Sequence, residues 1–135
     1  MKKIAYKNLD ILYKEIANLQ ELYLPVKVAK ATNFKKYENG VDVDIESLQT
    51  VKSAKDLFFP QSEDMMEFKL SGKNIEIIDA RKTPAPFVLF GVRGCDLKSF
   101  EVLDKVFLAE PVDTMYKAKR DAVTVITLAC NNPES

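Results

Sequence analysis

The sequence of 135 residues contains no histidine, the side chain that most often serves as a general base near neutral pH. Ser-His-Asp hydrolysis, Cys-His proteolysis and zinc sites built with histidine are therefore excluded. Only two cysteines occur, Cys95 and Cys130, which are too few for a disulfide-rich secreted scaffold. The first ten residues also lack the apolar core of a signal peptide. We expect a cytoplasmic protein.

Excess charge of one sign and long apolar segments are missing as well. Twenty Lys and Arg balance twenty Asp and Glu, so the sequence lacks the basic stripe that nucleic-acid binding requires. No apolar run approaches the roughly 18 to 20 residues that span a bilayer. With 47% hydrophobic and 30% charged residues, the composition is typical of a compact globular domain. We expect no nucleic-acid partner and no direct membrane insertion.

Hydrophobic periodicity predicts the elements of the first half of the chain. Apolar residues recur at steps of three and four over residues 6–22, which indicates an amino-terminal amphipathic helix. Short strands follow over 23–28 and 33–37, with Pro25 expected at a sheet edge. Two strands at 67–70 and 74–78 flank Gly72, which predicts a β-hairpin.

The second half predicts a parallel strand-helix-strand unit. The apolar run 87–92 suits a strand covered on both faces, and a similar run covers 122–129. Helical spacing over 96–108 and 112–120 lies between them, which predicts a right-handed crossover joining parallel strands. The predicted fold class is α/β, with a mixed sheet, a parallel βαβ unit near the carboxyl terminus, β-hairpins and the amino-terminal helix. Residues 1–135 are expected to form a single α/β domain, the amino-terminal fragment of a longer protein.

The turn between the run 87–92 and the following helix is the main candidate site. Gly91, Arg93, Gly94 and Asp96 lie where a buried strand meets a helix, which makes them candidate cofactor-binding residues. Cys95 lies at the helix start, where free backbone N–H groups and the helix dipole stabilise negative charge. The same residues also fit a plain turn with a small buried cysteine, and the local sequence does not separate the two interpretations.

The second cysteine favours a metal site or a redox pair. Cys130 follows the final predicted strand as Cys95 follows its parallel partner, so both thiols are expected at one edge of the sheet. In a reduced compartment such a pair suggests metal ligation or redox chemistry over a structural disulfide. Iron-sulfur clusters and structural zinc normally take four ligands, so this chain alone offers half of such a site.

A hydrophobic cluster, Phe58-Phe59-Pro60, follows a predicted helical turn that begins near Ser53. It fits a plug beneath a loop or a patch that docks a partner, and the pattern favours the plug.

Several stretches together resemble a known family. They are residues 24–27 (LPVK), 53–63 (SAKDLFFPQSE), 91–97 (GVRGCDL), 103–107 (LDKVF) and 129–133 (ACNNP). In this order they resemble the amino-terminal region of the beta subunits of multisubunit nickel-iron sulfhydrogenases, which is similar to the A subunit of anaerobic sulfite reductase. The resemblance covers nearly the whole chain.

The resemblance implies an electron-transfer subunit that carries 4Fe-4S clusters in a carboxyl-terminal ferredoxin-like region, between a flavin subunit and a catalytic subunit. Cys95 and Cys130 match family cysteines and, with further cysteines downstream, would ligate an additional cluster. The sequence departs from the family by ending before any ferredoxin motif and by having Gly94 where many relatives have proline. We therefore expect a scaffold and cluster-supporting domain of an oxidoreductase complex, which binds no cluster alone and is not catalytic on its own.

Two alternatives remain open from the residues. One is a non-redox interaction domain that docks a partner through Phe58-Phe59-Pro60. The other is a thiol enzyme in which Arg93 and the helix terminus hold Cys95 as a thiolate nucleophile.

Overall fold

The structure, a computed structural model, describes residues 3–47 and 50–129. It begins with a 3-10 turn at Tyr6–Asn8 that continues into a helix, and a second 3-10 turn covers Ala54–Leu57. The regular elements are α1 (Leu9–Leu19), β1 (Glu21–Val28), β2 (Ala31–Lys36), β3 (Met66–Ser71), β4 (Asn74–Asp79), β5 (Phe87–Arg93), α2 (Gly94–Phe107), α3 (Thr114–Ala122) and β6 (Val123–Leu128). The first helix ends earlier than its apolar spacing predicts, because the last predicted residues belong to β1.

A mixed four-stranded sheet has the order β2-β1-β5-β6. β1 pairs with β2 antiparallel and with β5 parallel, and β5 pairs with β6 parallel. Because α2 and α3 connect these last two adjacent strands, the predicted parallel βαβ unit is confirmed. Strands β3 and β4 form the predicted hairpin as a separate two-stranded sheet. The predicted α/β fold class is therefore confirmed.

Strand β5 is covered on both faces, as its uniformly apolar sequence predicts. One face, together with the β1 side chains on the same side of the sheet, packs against the apolar side of α1. The other face packs against α2, α3 and the segment around Phe58. Alternate residues of the strand divide between the two clusters: Val88 and Phe90 on the α1 side, and Phe87, Leu89 and Val92 on the α2 side. The sheet thus lies between helical layers.

Gly91 forms a bulge in β5 that reverses this alternation. The pairing register with β6 shifts between Phe90 and Val92, and Gly91 takes a φ of +87°. Two residues apart, Phe90 and Val92 would share a face in a regular strand, yet they pack in opposite clusters because the bulge adds a residue. A methyl group at Gly91 would lie 3.0 Å from the Cδ atom of Pro25, so both the φ angle and the space require glycine.

Pro25 lies in the interior strand β1, so the prediction that it occupies a sheet edge is wrong. β1 pairs with β5 only over residues 21–23. Beyond them, the backbone N–H of Asp44 donates to the Pro25 carbonyl over 2.9 Å, and that of Lys27 donates to Asp42 over 2.8 Å. Proline has no backbone N–H to donate, and Pro25 lies where β1 stops pairing with β5 and begins to bond to residues 42–44. The sheet therefore tolerates proline at this position.

Phe58 is the plug that the sequence predicts. Its side chain is 1% exposed, and its ring makes an edge contact with Phe100 at a centroid distance of 4.9 Å. The Arg120 guanidinium carbon lies 5.3 Å from the centre of the Phe58 ring. Its neighbour Phe59 is 52% exposed and packs against Phe107 at 4.8 Å. Adjacent phenylalanines therefore have different surroundings.

We expect Phe58→Ala to lower the free energy of unfolding by about 3–5 kcal/mol, because it empties a buried aromatic site. Phe59→Ala is the matched control and should cost about 1 kcal/mol, since half of its ring is already in water. Urea denaturation followed by circular dichroism measures both values. Equal losses would contradict the assignment of Phe58 to the core.

Candidate functional site

The candidate site lies at the carboxyl edge of the parallel pair β5 and β6. Arg93, the last residue of β5, is the register partner of Leu128, the last residue of β6. Gly94 begins α2 directly after this pair. The turn therefore occupies the edge at which open α/β sheets bind ligands.

Cys95 presents a free thiol to solvent as the second residue of α2. Its exposure does not fit the interpretation of this position as a small buried cysteine. The first turn of a helix has backbone N–H groups without helical partners, and the helix dipole favours negative charge there. The exposed sulfur at this position is accessible to a metal ion or to a substrate.

The Arg93 side chain anchors a neighbouring segment of backbone. Its Nη2 atom donates to the carbonyl oxygens of Ile45 and Ser47 over 2.5 and 2.9 Å. Arg93 is the residue that connects β5 to α2, so these bonds hold residues 45–47 beside the sheet edge. Its proposed role in cofactor binding stays a prediction, and the structure adds this architectural role.

Asp96 joins the helix start to the segment that carries Phe58. One carboxylate oxygen accepts a hydrogen bond from the Ser53 hydroxyl over 3.0 Å. The same hydroxyl accepts a bond from the backbone N–H of Lys55 and caps the 3-10 turn Ala54–Leu57. The cofactor role predicted for Asp96 is likewise untested, but its carboxylate already positions a neighbouring element.

The two glycines of the turn have different requirements. Gly91 has a positive φ and lies against Pro25, whereas a methyl group at Gly94 would meet nothing within 4 Å. Gly94 is the first residue of α2, and the preceding Arg93 has φ −81° and ψ 156°. Both features suit proline, which favours the first helical position and an extended residue before it. The backbone at this position therefore accommodates proline as well as glycine.

Gly91→Ala should lower the free energy of unfolding by about 1–3 kcal/mol, because alanine is strained at this φ and collides with Pro25. Gly94→Ala should leave it unchanged or raise it by up to about 1 kcal/mol, since alanine fits the space and restricts the unfolded chain. Paired urea titrations measure the difference. A larger loss for Gly94→Ala than for Gly91→Ala would contradict the bulge geometry.

A second polar cluster joins α2 to α3. Arg120 donates to both carboxylate oxygens of Asp104 over 2.8 Å, and the Tyr116 hydroxyl donates to the same carboxylate over 2.7 Å. Asp104 follows Cys95 by nine residues, or about 13 Å along the helix axis. Tyr116 and Arg120 therefore brace α3 against α2.

The sequence patterns do not predict this cluster of Asp104, Tyr116 and Arg120, which we call the clasp. The rarity of arginine in the chain is the one signal that points to it. The chain has three arginines, Arg81, Arg93 and Arg120. Two of them, Arg93 and Arg120, make partly buried hydrogen bonds, and Arg120 uses the forked geometry that lysine cannot reproduce. Only Arg93 was singled out from the sequence, because no local pattern pairs Arg120 with Asp104.

The clasp predicts a specific pH dependence. Hydrogen bonds from Arg120 lower the pKa of Asp104 below its ordinary 3.8, while partial burial acts in the opposite direction. A carboxylate with a lower pKa in the folded state stabilises that state above about pH 4 and loses this contribution as the pH falls through the folded-state pKa. The stability difference between wild type and Asp104→Asn should therefore be largest above pH 4 and should narrow in more acidic buffer.

Chemical denaturation at a series of pH values measures this difference. Asp121→Asn is the matched control, because Asp121 is an exposed carboxylate of α3 that pairs with Lys117. The control should retain the pH dependence of the wild type. A wild-type to Asp104→Asn difference that stays constant from neutral to acidic pH would contradict the role of the clasp.

The structure describes one of the two predicted metal ligands. Cys130 lies outside the described residues, two positions after the end of β6, so the predicted meeting of the thiols stays a prediction. Within residues 3–47 and 50–129, no group of three or more Cys, Asp or Glu side chains could hold a metal ion. A 4Fe-4S cluster takes four thiolates, and the described part of the chain supplies one of them, Cys95. The same two stretches contain no helix both long and apolar enough to cross a bilayer.

Comparison with known proteins shows a distant relative. The chain is 26% identical over 118 residues to the sulfhydrogenase 2 subunit beta of Pyrococcus furiosus. The match covers 87% of this chain and 34% of that protein, so the chain spans about a third of the relative's length. No family model matches the sequence, and no solved structure matches it. The similarity gives loose support to the resemblance to hydrogenase beta subunits.

Proposed function

We propose that this chain is the scaffold and cluster-supporting domain of an iron-sulfur electron-transfer subunit. In this proposal Cys95 and Cys130 are two of the four ligands of a 4Fe-4S cluster, and the domain belongs to a cytoplasmic hydrogenase- or sulfite-reductase-type complex. The domain forms the amino-terminal part of a longer protein, exchanges electrons with flavin and catalytic subunits, and catalyses no reaction alone.

The exposed thiol of Cys95 is the observation that carries the proposal. It lies at the start of α2, beside the ends of two adjacent parallel strands, so it can reach a group that other polypeptide segments help to bind. The chain continues from β6 to Cys130 within two residues of Leu128. Similarity to a sulfhydrogenase beta subunit along most of the chain supports the same function.

The exposed thiol of Cys95 fits a cluster site whose ligands come from more than one segment. A thiolate at an exposed helix start is the correct ligand for an iron-sulfur cluster, and the cluster supplies one-electron transfer when bound. The remaining ligands come from segments beyond the described residues in this proposal. The bonds of Arg93 and Asp96 hold the helix start in place, so they position Cys95 without contributing ligands.

The structure weakens one alternative and leaves another open. A docking site made of Phe58-Phe59-Pro60 would need Phe58 at the surface, but Phe58 is buried among core aromatic rings. Phe59 is the exposed aromatic residue of that tripeptide. A thiol enzyme would use the same exposed Cys95, but no described side chain is assigned as its general base.

The ligand proposal predicts that Cys95→Ala and Cys130→Ala each remove one cluster from the complete gene product purified without oxygen. Iron content should fall by up to about four atoms per polypeptide, and one low-temperature EPR signal of the reduced protein should disappear. Cys95 is exposed, so alanine there should not unfold the domain.

Lys98→Ala is the matched control, because Lys98 is an exposed residue in the next turn of α2. It should retain the iron content and the EPR spectrum of the wild type. Unchanged iron and unchanged EPR signals in both cysteine variants would refute the ligand role and leave Cys95 free for another function.

A further inference from the structure

The β3–β4 hairpin carries an exposed face made of large apolar side chains. Cross-strand register places Phe68 opposite Ile77 and Leu70 opposite Ile75, and strand alternation adds Met66 to the same side. These five side chains are 59–76% exposed. We call this surface the hairpin face.

The opposite side of the hairpin is polar except for Ile78, a half-buried residue that lies opposite Glu67. Lys69 lies opposite Glu76, and Ser71 lies opposite Asn74. At the tip, Gly72 has φ +63°, as glycine has at the first position of a two-residue type II′ turn. The two strands are thus amphipathic, as in an antiparallel sheet that packs one face against a core and exposes the other to water.

The hairpin face has no cover within the described part of the chain. A two-stranded hairpin is marginally stable in water unless its apolar side packs against another element. Next to the base of the hairpin, Lys119 of α3 pairs with Glu63, which ties the hairpin to the domain. The Ala80 N–H donates to the Met65 carbonyl over 3.1 Å and extends the pairing of the two strands by one step. Its strands project from that base with their apolar side in solvent.

We propose that the hairpin face packs against the same face of a second copy of this chain. Two such faces related by a two-fold axis would form a small β-sandwich with the two sheets about 10 Å apart. The polar sides, with Lys69 and Glu76, would face outward into solvent.

The charges of the hairpin favour this occupant. The one carboxylate that strand alternation places on the hairpin face is Asp79, opposite Met66 at the base. Arg81 already pairs with it, through bonds of 2.9 and 3.0 Å from its Nε atom. Self-association would therefore bury no unpaired charge. Acidic and basic residues are nearly equal in number over 63–82, so the hairpin lacks the basic excess that draws amphipathic surfaces to anionic lipid.

The area is also sufficient for a reversible dimer. Five large apolar side chains bury several hundred Å² on each copy, or about 1,000 Å² for the pair, which reaches the lower limit of specific interfaces. The chain has zero formal net charge, so two copies do not repel each other at long range. We expect a monomer–dimer equilibrium that depends on protein concentration.

Sedimentation equilibrium of the 135-residue chain over a wide concentration range tests the proposal. The double variant Phe68→Ser with Ile77→Ser removes the cross-strand pair at the centre of the hairpin face and should weaken dimerisation at least about tenfold. The matched control, Lys69→Ser with Glu76→Ser, removes the neighbouring cross-strand pair on the polar side and should leave dimerisation within about twofold of wild type. Circular dichroism should show that the four-stranded sheet is retained in both variants.

Three outcomes would overturn the proposal. A wild-type chain that stays monomeric at every concentration would mean that a different protein or a further segment covers the hairpin face. A dimer that survives loss of Phe68 and Ile77 would form through another surface. A dimer weakened more by the Lys69 and Glu76 variant would pair through the polar side of the hairpin. None of these outcomes bears on whether Cys95 ligates a cluster, so this proposal and the proposed function fail separately.

Discussion

Burial of β5 between two helical layers is the constraint on which the rest of the structure depends. Every residue of this strand from Phe87 to Val92 is buried, and the side chains of successive residues must find cover on opposite sides of the sheet. The helix α1 covers one side, and α2 and α3 cover the other. The bulge at Gly91 changes the alternation at the end of the strand, so that Val92 joins the cluster under α2. The start of α2 is therefore positioned by core packing as well as by local turn geometry.

In the turn between β5 and α2, some residues bond to other segments of the chain and one residue is exposed to solvent. Arg93 and Asp96 form their bonds with residues 45–47 and with Ser53, which draws separate parts of the chain together at the sheet edge. Cys95 lies between them in sequence and keeps its thiol in solvent. The proposed shared metal site would require this arrangement, because the ligand must keep its position while another segment supplies the remaining ligands.

The large apolar side chains also differ in whether they are buried or exposed. Phe58 is buried in the core, whereas the hairpin face leaves Phe68 and its neighbours in solvent. Burial in the core requires contact with several distant elements, and Phe58 has them in β5, α2 and α3. Among the residues that the structure describes, β3 and β4 pair with each other and with no further strand. The apolar side of the hairpin therefore stays a surface that a second molecule can cover.

The sequence by itself determined the fold class, the hairpin, the parallel unit and the strand-to-helix turn that carries Cys95. These features depend on hydrophobic periodicity, on glycine at turns and on the handedness of crossovers, all of which act over short stretches of chain. Only the tertiary structure decided that Pro25 lies inside the sheet, that Arg93 binds carbonyls 46 and 48 residues away, and that Arg120 holds Asp104. The physical reason is that a side chain's hydrogen-bond partner depends on which distant segments the core brings beside it, and no local pattern records that neighbour.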